Sequence, residues 1–116
     1  MYAANLRNIS RALLAAPGSP RVYWLSSTPV PNIKLSPPRA QDDVPRYNAA
    51  AAAVMADFPD ITVIDVYSFV VDLCGGDPRY TSCPKYQQAG VHFLPAGYQA
   101  MAEFIFTAIN GSVAVP

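Results

Sequence analysis

Two short apolar runs constrain the fold of this chain more than any other feature. Val22-Tyr23-Trp24-Leu25 and Ile61-Thr62-Val63-Ile64 each stand between helical patterns rather than beside one another. A near-continuous apolar run marks a strand covered on both faces, as in a parallel sheet, whereas a strand with one wet face alternates apolar and polar residues. Strands predicted over 21–27 and 61–66 therefore need helices on both sides. The flanking sequence offers them. Leu6, Ile9, Leu13 and Leu14 fall at helical spacing within 2–16, with Arg7, Asn8 and Arg11 off that face. Pro17-Gly18-Ser19-Pro20 ends this first helix.

A second helix is predicted from Asp42 or Asp43, either of which can cap it, to about Asp57, with Pro45 in its first turn. Tyr47, Ala51, Val54, Met55 and Phe58 supply its apolar side, and the alanine run 49–53 suits a helix lying close to a sheet. A short helix over 67–73 and a last one over 95–110 follow. The last turns Met101, Phe104, Ile105 and Ala108 inward, with Gly111 as its stop. Helix, strand, helix, strand, helix is the order of an α/β fold with a parallel sheet. Two strands cannot cover each other's outer edges, and sheets average about 5–6 strands. The expectation is that residues 1–116 form the C-terminal part of one larger α/β domain whose N-terminal strands lie outside this sequence.

Composition narrows the partners. A net charge of +0 with 14% charged residues argues against nucleic acid, which calls for a basic patch or stripe. A hydrophobic fraction of 52% argues against disorder. Proline or polar residues interrupt each apolar run well short of the ~20 residues of a membrane span. Eight of the 12 prolines gather in two loops, 29–45 and 78–95, which read as ordered connections. Cys74 and Cys83 flank one Gly/Pro/Asp-rich loop, where a local disulfide is geometrically easy and would imply an oxidising compartment; two reduced thiols are the alternative. With one histidine they fall short of a four-ligand zinc site, and no metal or cofactor is expected. They are not spaced as Cys-x-x-Cys, which disfavours a thiol redox protein. Met1-Tyr2-Ala3-Ala4-Asn5 opens directly on a helical pattern, so no leader peptide is expected within these residues.

Gly90-Val91-His92-Phe93-Leu94-Pro95-Ala96-Gly97-Tyr98 holds the only histidine and runs straight into the last helix. This block is similar to the last conserved block of the SGNH (GDSL-type) hydrolases. Nearly the whole chain resembles the C-terminal half of that family's domain. Tyr2-Ala3-Ala4-Asn5-Leu6 resembles the helix after the third block, and Trp24-Leu25-Ser26-Ser27-Thr28-Pro29-Val30-Pro31 the next strand with its proline turn. Tyr47-Asn48 begins a helix as in many members, and Ile64-Asp65-Val66-Tyr67 resembles the following strand end. The resemblance implies a flavodoxin-like three-layer α/β/α fold and hydrolysis of an ester, a carbohydrate acetyl ester or a lipid ester. It makes His92 the general base that deprotonates a serine. The family's serine and oxyanion blocks have no counterpart here, and the aspartate usual three residues before the histidine is replaced by Ala89. The chain alone is therefore expected to be inactive, and the complete protein to be secreted.

Other residues are weaker candidates. Asp65 ends a strand and could orient His92, although capping the next helix is the competing role. Asp72 and Asp77 are further candidates for that task. Ser26 and Ser27 end the other strand without a Gly-x-Ser-x-Gly elbow, which favours structural hydroxyls over a nucleophile. Phe93 and Tyr98 are expected to pack the last helix, and Arg79-Tyr80 to sit in a solvated loop or at a substrate rim. A different class of function is a non-catalytic interaction module that self-associates through bare sheet edges.

Overall fold

A computed structural model describes residues 1–18, 20–88 and 90–112. The order is α1 (Tyr2–Leu14), β1 (Val22–Leu25), α2 (Asp43–Met55), β2 (Ile61–Ile64), α3 (Val66–Leu73) and α4 (Pro95–Ser112). β1 and β2 form a two-stranded parallel sheet in register from Val22↔Ile61 to Leu25↔Ile64. This is the α/β arrangement expected from the alternation of elements. No helix among the described residues is long and apolar enough to cross a membrane.

Sheet residues divide between two apolar clusters. Val22, Trp24 and Ile61 join Leu6 of α1 and Ala51, Val54 and Met55 of α2. Tyr23 and Ile64 join Val66 and Val70 of α3, Phe93, and Met101, Phe104 and Ile105 of α4. Neighbouring strand residues point to opposite faces, so the two helix pairs cover different sides of the sheet. Within the alanine run only Ala51 is fully enclosed. Val54 and Val70 are closed off from solvent almost completely, which contributes about 1.5–2 kcal/mol each. Phe69 stacks on Phe104 with ring centroids 4.3 Å apart and locks α3 to α4.

Three sequence expectations need correction. Both strands are shorter than predicted, because Asp65 leaves the sheet to start α3; one further bond, from the Ser26 N–H to the Ile64 carbonyl at 3.1 Å, prolongs the pairing. The strands are also less covered than an interior sheet requires, with Leu25 39% and Val63 47% exposed. Each strand pairs only with the other among the described residues, so each keeps one bare edge. Finally, α4 continues through Gly111 instead of stopping there. The backbone at Gly111 is not left-handed, and a Cβ there would meet no neighbour within 4 Å.

On α1 the apolar face is split. Leu6 is buried, while Ile9 is 56% and Leu13 47% exposed. Both line an open groove of about 240 Å³ that continues onto Val22, Tyr23 and Trp24 of β1.

Candidate active site

The carboxyl ends of the two strands carry the first cluster of functional side chains. Asp65 is the N-cap of α3: its Oδ1 accepts the Ser68 N–H at 3.1 Å and its Oδ2 accepts the Ser68 hydroxyl at 2.6 Å. The Ser26 hydroxyl donates to the same Oδ1 at 3.1 Å and accepts the Tyr67 N–H at 2.9 Å. One serine thus ties the end of β1 to the start of α3. Partial burial pushes the Asp65 carboxyl up, but the bonds from Ser68 and Ser26 outweigh it and hold the group below the usual 3.8. Ser27 is held by Asn48, whose side chain accepts its N–H at 2.9 Å and donates to its carbonyl at 3.0 Å, as a neighbouring strand would. These residues line a cleft of about 300 Å³ with an apolar floor of Trp24, Pro45 and Val63. The Tyr67 hydroxyl is buried beside it without a hydrogen-bond partner among the described residues.

His92 lies in a second cleft. Its side chain is exposed, and the imidazole makes no hydrogen bond or ion pair among the described residues. The loop beneath it is firmly held. The His92 carbonyl accepts the Gln88 N–H at 3.0 Å, Gln87 bridges Phe93, and the Phe93 ring is buried against Ile64 and Met101. The Leu94 N–H donates to the Tyr86 carbonyl at 2.9 Å. Gly97 lets the start of α4 come this close, because a Cβ there would collide with the same carbonyl oxygen. Tyr98 is more exposed than expected and meets the Phe93 ring edge-on.

Cys74 and Cys83 are joined in a disulfide with Cα atoms 5.3 Å apart, leaving no free thiol among the described residues. Inside the loop they close, Asp77 accepts the Arg79 N–H at 2.9 Å and Arg79 pairs with Asp42 at 3.1 Å. Tyr80 turns inward and donates to Gln87 at 2.5 Å, and burial pushes its hydroxyl up to about 12. Asp72 remains exposed on α3.

The structure therefore gathers Ser26 and Asp65 at one cleft and places His92 at another. No hydrogen bond joins Asp65 to His92 among the described residues. Ala89, at the position of the family's orienting aspartate, lies outside the described residues. Sequence reasoning missed Asn48, Gln87 and the pair Lys34 and Arg39, which share the His92 cleft. Gln87 and Asn48 gave no local signal, since their partners are 58 and 21 residues away. The two cations stand in the proline-rich stretch 29–45, where their spacing follows no regular period.

Fold and site together define a small α/β protein with side-chain chemistry at the strand ends and on the loop before the last helix. No family model and no curated protein matches the chain. Among solved structures it is similar to one from Streptococcus pneumonia described as "a putative platelet activating factor", with a TM-score of 0.72 and 18% sequence identity. The likeness covers 90% of this chain and 49% of that one, so the chain spans about half the length of the structure it matches. At this identity the similarity is one of fold.

Proposed function

We propose that this chain is the C-terminal part of an SGNH-type ester hydrolase domain, with a three-layer α/β/α core completed by polypeptide outside these 116 residues. His92 is its general base. The observation that carries the reading is the mounting of His92: exposed, unpartnered among the described residues and fixed from below, directly before α4. Support comes also from the bare strand edges and from the half-length match in fold. In acyl transfer the imidazole takes the proton of a serine hydroxyl as it attacks the ester carbonyl, then returns it to the leaving alcohol. The serine and the oxyanion donors come from the absent half. Asp65 serves the site by fixing Ser26 and the start of α3. The disulfide supports an oxidising compartment.

The test has two arms with p-nitrophenyl acetate as substrate. The 116-residue chain alone is expected to show no turnover above buffer. The protein extended by the open frame upstream of codon 1 is expected to hydrolyse it, and His92→Ala to lower the rate by a factor of about 10³ or more. His92-dependent turnover by the short chain, or an extended protein indifferent to His92→Ala, overturns the assignment. A second reading, a self-associating interaction module, is favoured by the exposed apolar groove between α1 and β1. Sizing chromatography with a melting curve bears on both, because a stable, monomeric, cooperatively melting chain would count against the fragment and the association readings alike, and the esterase assay on the extended protein separates them.

A further inference from the structure

The cleft that holds His92 is cationic. It measures about 430 Å³ and is lined by Lys34, Arg39 and His92 together with Leu35, Ser36 and Val91. Among the described residues no Asp or Glu lines it. Elsewhere four cations are engaged, while Arg11, on α1, has no ion pair among the described residues. Arg7 pairs with Asp57, Arg46 with Asp43 and Arg79 with Asp42, while Lys85 lies over the Tyr86 ring. Lys34 and Arg39 have no acidic partner among the described residues, and Arg39 makes only a 3.4 Å bond to the Pro37 carbonyl. In a chain of net charge +0, two unmatched cations on one cleft are a local departure from balance.

The walls are rigid as well as charged. Pro29, Val30, Pro31 and Leu35 are buried, the Asn32 N–H donates to the Tyr80 carbonyl at 2.8 Å, and Gln41 donates to the Pro78 carbonyl at 2.5 Å. The Lys34–Arg39 segment therefore rests on the disulfide-closed loop 74–83, and His92 on the continuation of that loop. The backbone that carries the two cations is thus anchored on both sides, at Asn32 and at Gln41, before any ligand arrives, which lowers part of the entropy cost of binding.

We propose that this cleft binds an oxyanion, and that the oxyanion is part of the ester substrate on which His92 acts. The guanidinium of Arg39 offers a flat fork to two oxygens and Lys34 a point charge, the combination that recognises phosphoryl and carboxylate groups. The binding itself follows from the cleft alone; only the assignment to substrate rests on the hydrolase reading. Because all three side chains are exposed, a free oxyanion binds weakly, with a Kd on the order of millimolar.

The single histidine makes the test direct. Its imidazole resonances are followed by NMR at fixed pH while inorganic phosphate, or separately acetate, replaces chloride at constant ionic strength. A saturable shift is expected with at least one of them, and the stronger ligand tells whether the group is phosphoryl or carboxylate. Lys34→Gln/Arg39→Gln is expected to weaken binding at least fivefold, each single variant to weaken it in part, and Arg11→Gln, on α1, to leave it unchanged. Matching melting curves check that the variants fold. A shift that never saturates, one that survives in the double variant, or one lost equally in Arg11→Gln overturns the site. Oxyanion binding with no His92-dependent esterase in the extended protein leaves the site and removes its substrate role. Esterase activity without oxyanion binding leaves the hydrolase and assigns it neutral esters.

Discussion

The described part of 74–93 lies outside any helix or strand, yet it buries Tyr80, Cys83, Gln87 and Phe93. The sheet is regular, yet it leaves Leu25 39% and Val63 47% exposed. Irregular backbone can enter an interior only when its polar groups find partners. Here they find them in the second irregular segment. Asn32 meets Tyr80, Gln41 meets Pro78, Gln87 reaches the Pro29 carbonyl, and a disulfide closes the turn. A strand edge is matched in full by another strand, and none lies beside either outer edge among the described residues. The loop side of this molecule is finished from its own residues, and the α1–β1 side is not. His92, Lys34 and Arg39 all stand on the finished side.

The comparison breaks most visibly at the disulfide. Cys74 and Cys83 are separated by 9 positions in sequence, and closing a loop of that length in the unfolded chain stabilises the fold by about 2.5–3 kcal/mol in the chain-entropy model. Cys74→Ser/Cys83→Ser is expected to lose this amount in urea denaturation and to lower Tm by about 10 °C or more. A loss under about 1 kcal/mol would mean that the hydrogen bonds of this segment hold it without the covalent link.

The next effect is at the junction of the two regions. Asp65→Ala removes the cap of α3 and is expected to cost about 1–2 kcal/mol, and Asp65→Asn much less. The carboxyl is held below its usual 3.8 in the folded chain, so its contribution is complete above pH 3.8 and disappears as pH falls below that value. The stability gap between the parent and Asp65→Asn should therefore close as urea midpoints are followed downward from pH 6 to pH 3. A gap that widened in acid would show that the group is not held as a carboxylate.

Legibility in the sequence followed the range of the forces involved. Helical periodicity is local, and it placed every helix to within a few residues; the caps were less legible, since Asp65 caps α3 but Asp42 makes no side-chain bond to α2 and Gly111 does not end α4. The apolar runs identified both strands, because parallel strands are apolar for a reason that is visible residue by residue. Gly97 was legible only as a member of a motif, since the carbonyl it makes room for belongs to Tyr86, eleven positions earlier. Asn48 clamping Ser27 and Gln87 reaching Pro29 depend on how distant segments meet, and no pattern along the chain encodes that. The same holds for the cationic cleft, whose Lys34 and His92 are 58 residues apart. Burial of the strands was overestimated for a related reason. Trp24 and Val63 have the character of interior residues, but character reports the environment a strand suits, not whether that environment is present.

The smallest expected effect sharpens the comparison further. Ile9→Lys/Leu13→Lys places two charges on the exposed apolar face of α1, beside the bare edge of β1. In a finished domain these positions would be interior, and charging them would cost several kcal/mol, as removal of the Leu6 side chain should here, at about 2–5 kcal/mol. On the open side the substitutions meet water. Surface changes stay within about 0.5 kcal/mol each, and lysine is a better helix former than isoleucine and about equal to leucine. The double variant is expected to keep its urea midpoint close to that of the parent while Leu6→Ala loses most of its stability. It should also lose any self-association, because the groove would then repel its own copy. A loss above about 2 kcal/mol in the monomeric double variant would mean that α1 already buries this face within the chain, and the contrast between a closed loop side and an open sheet side would fall.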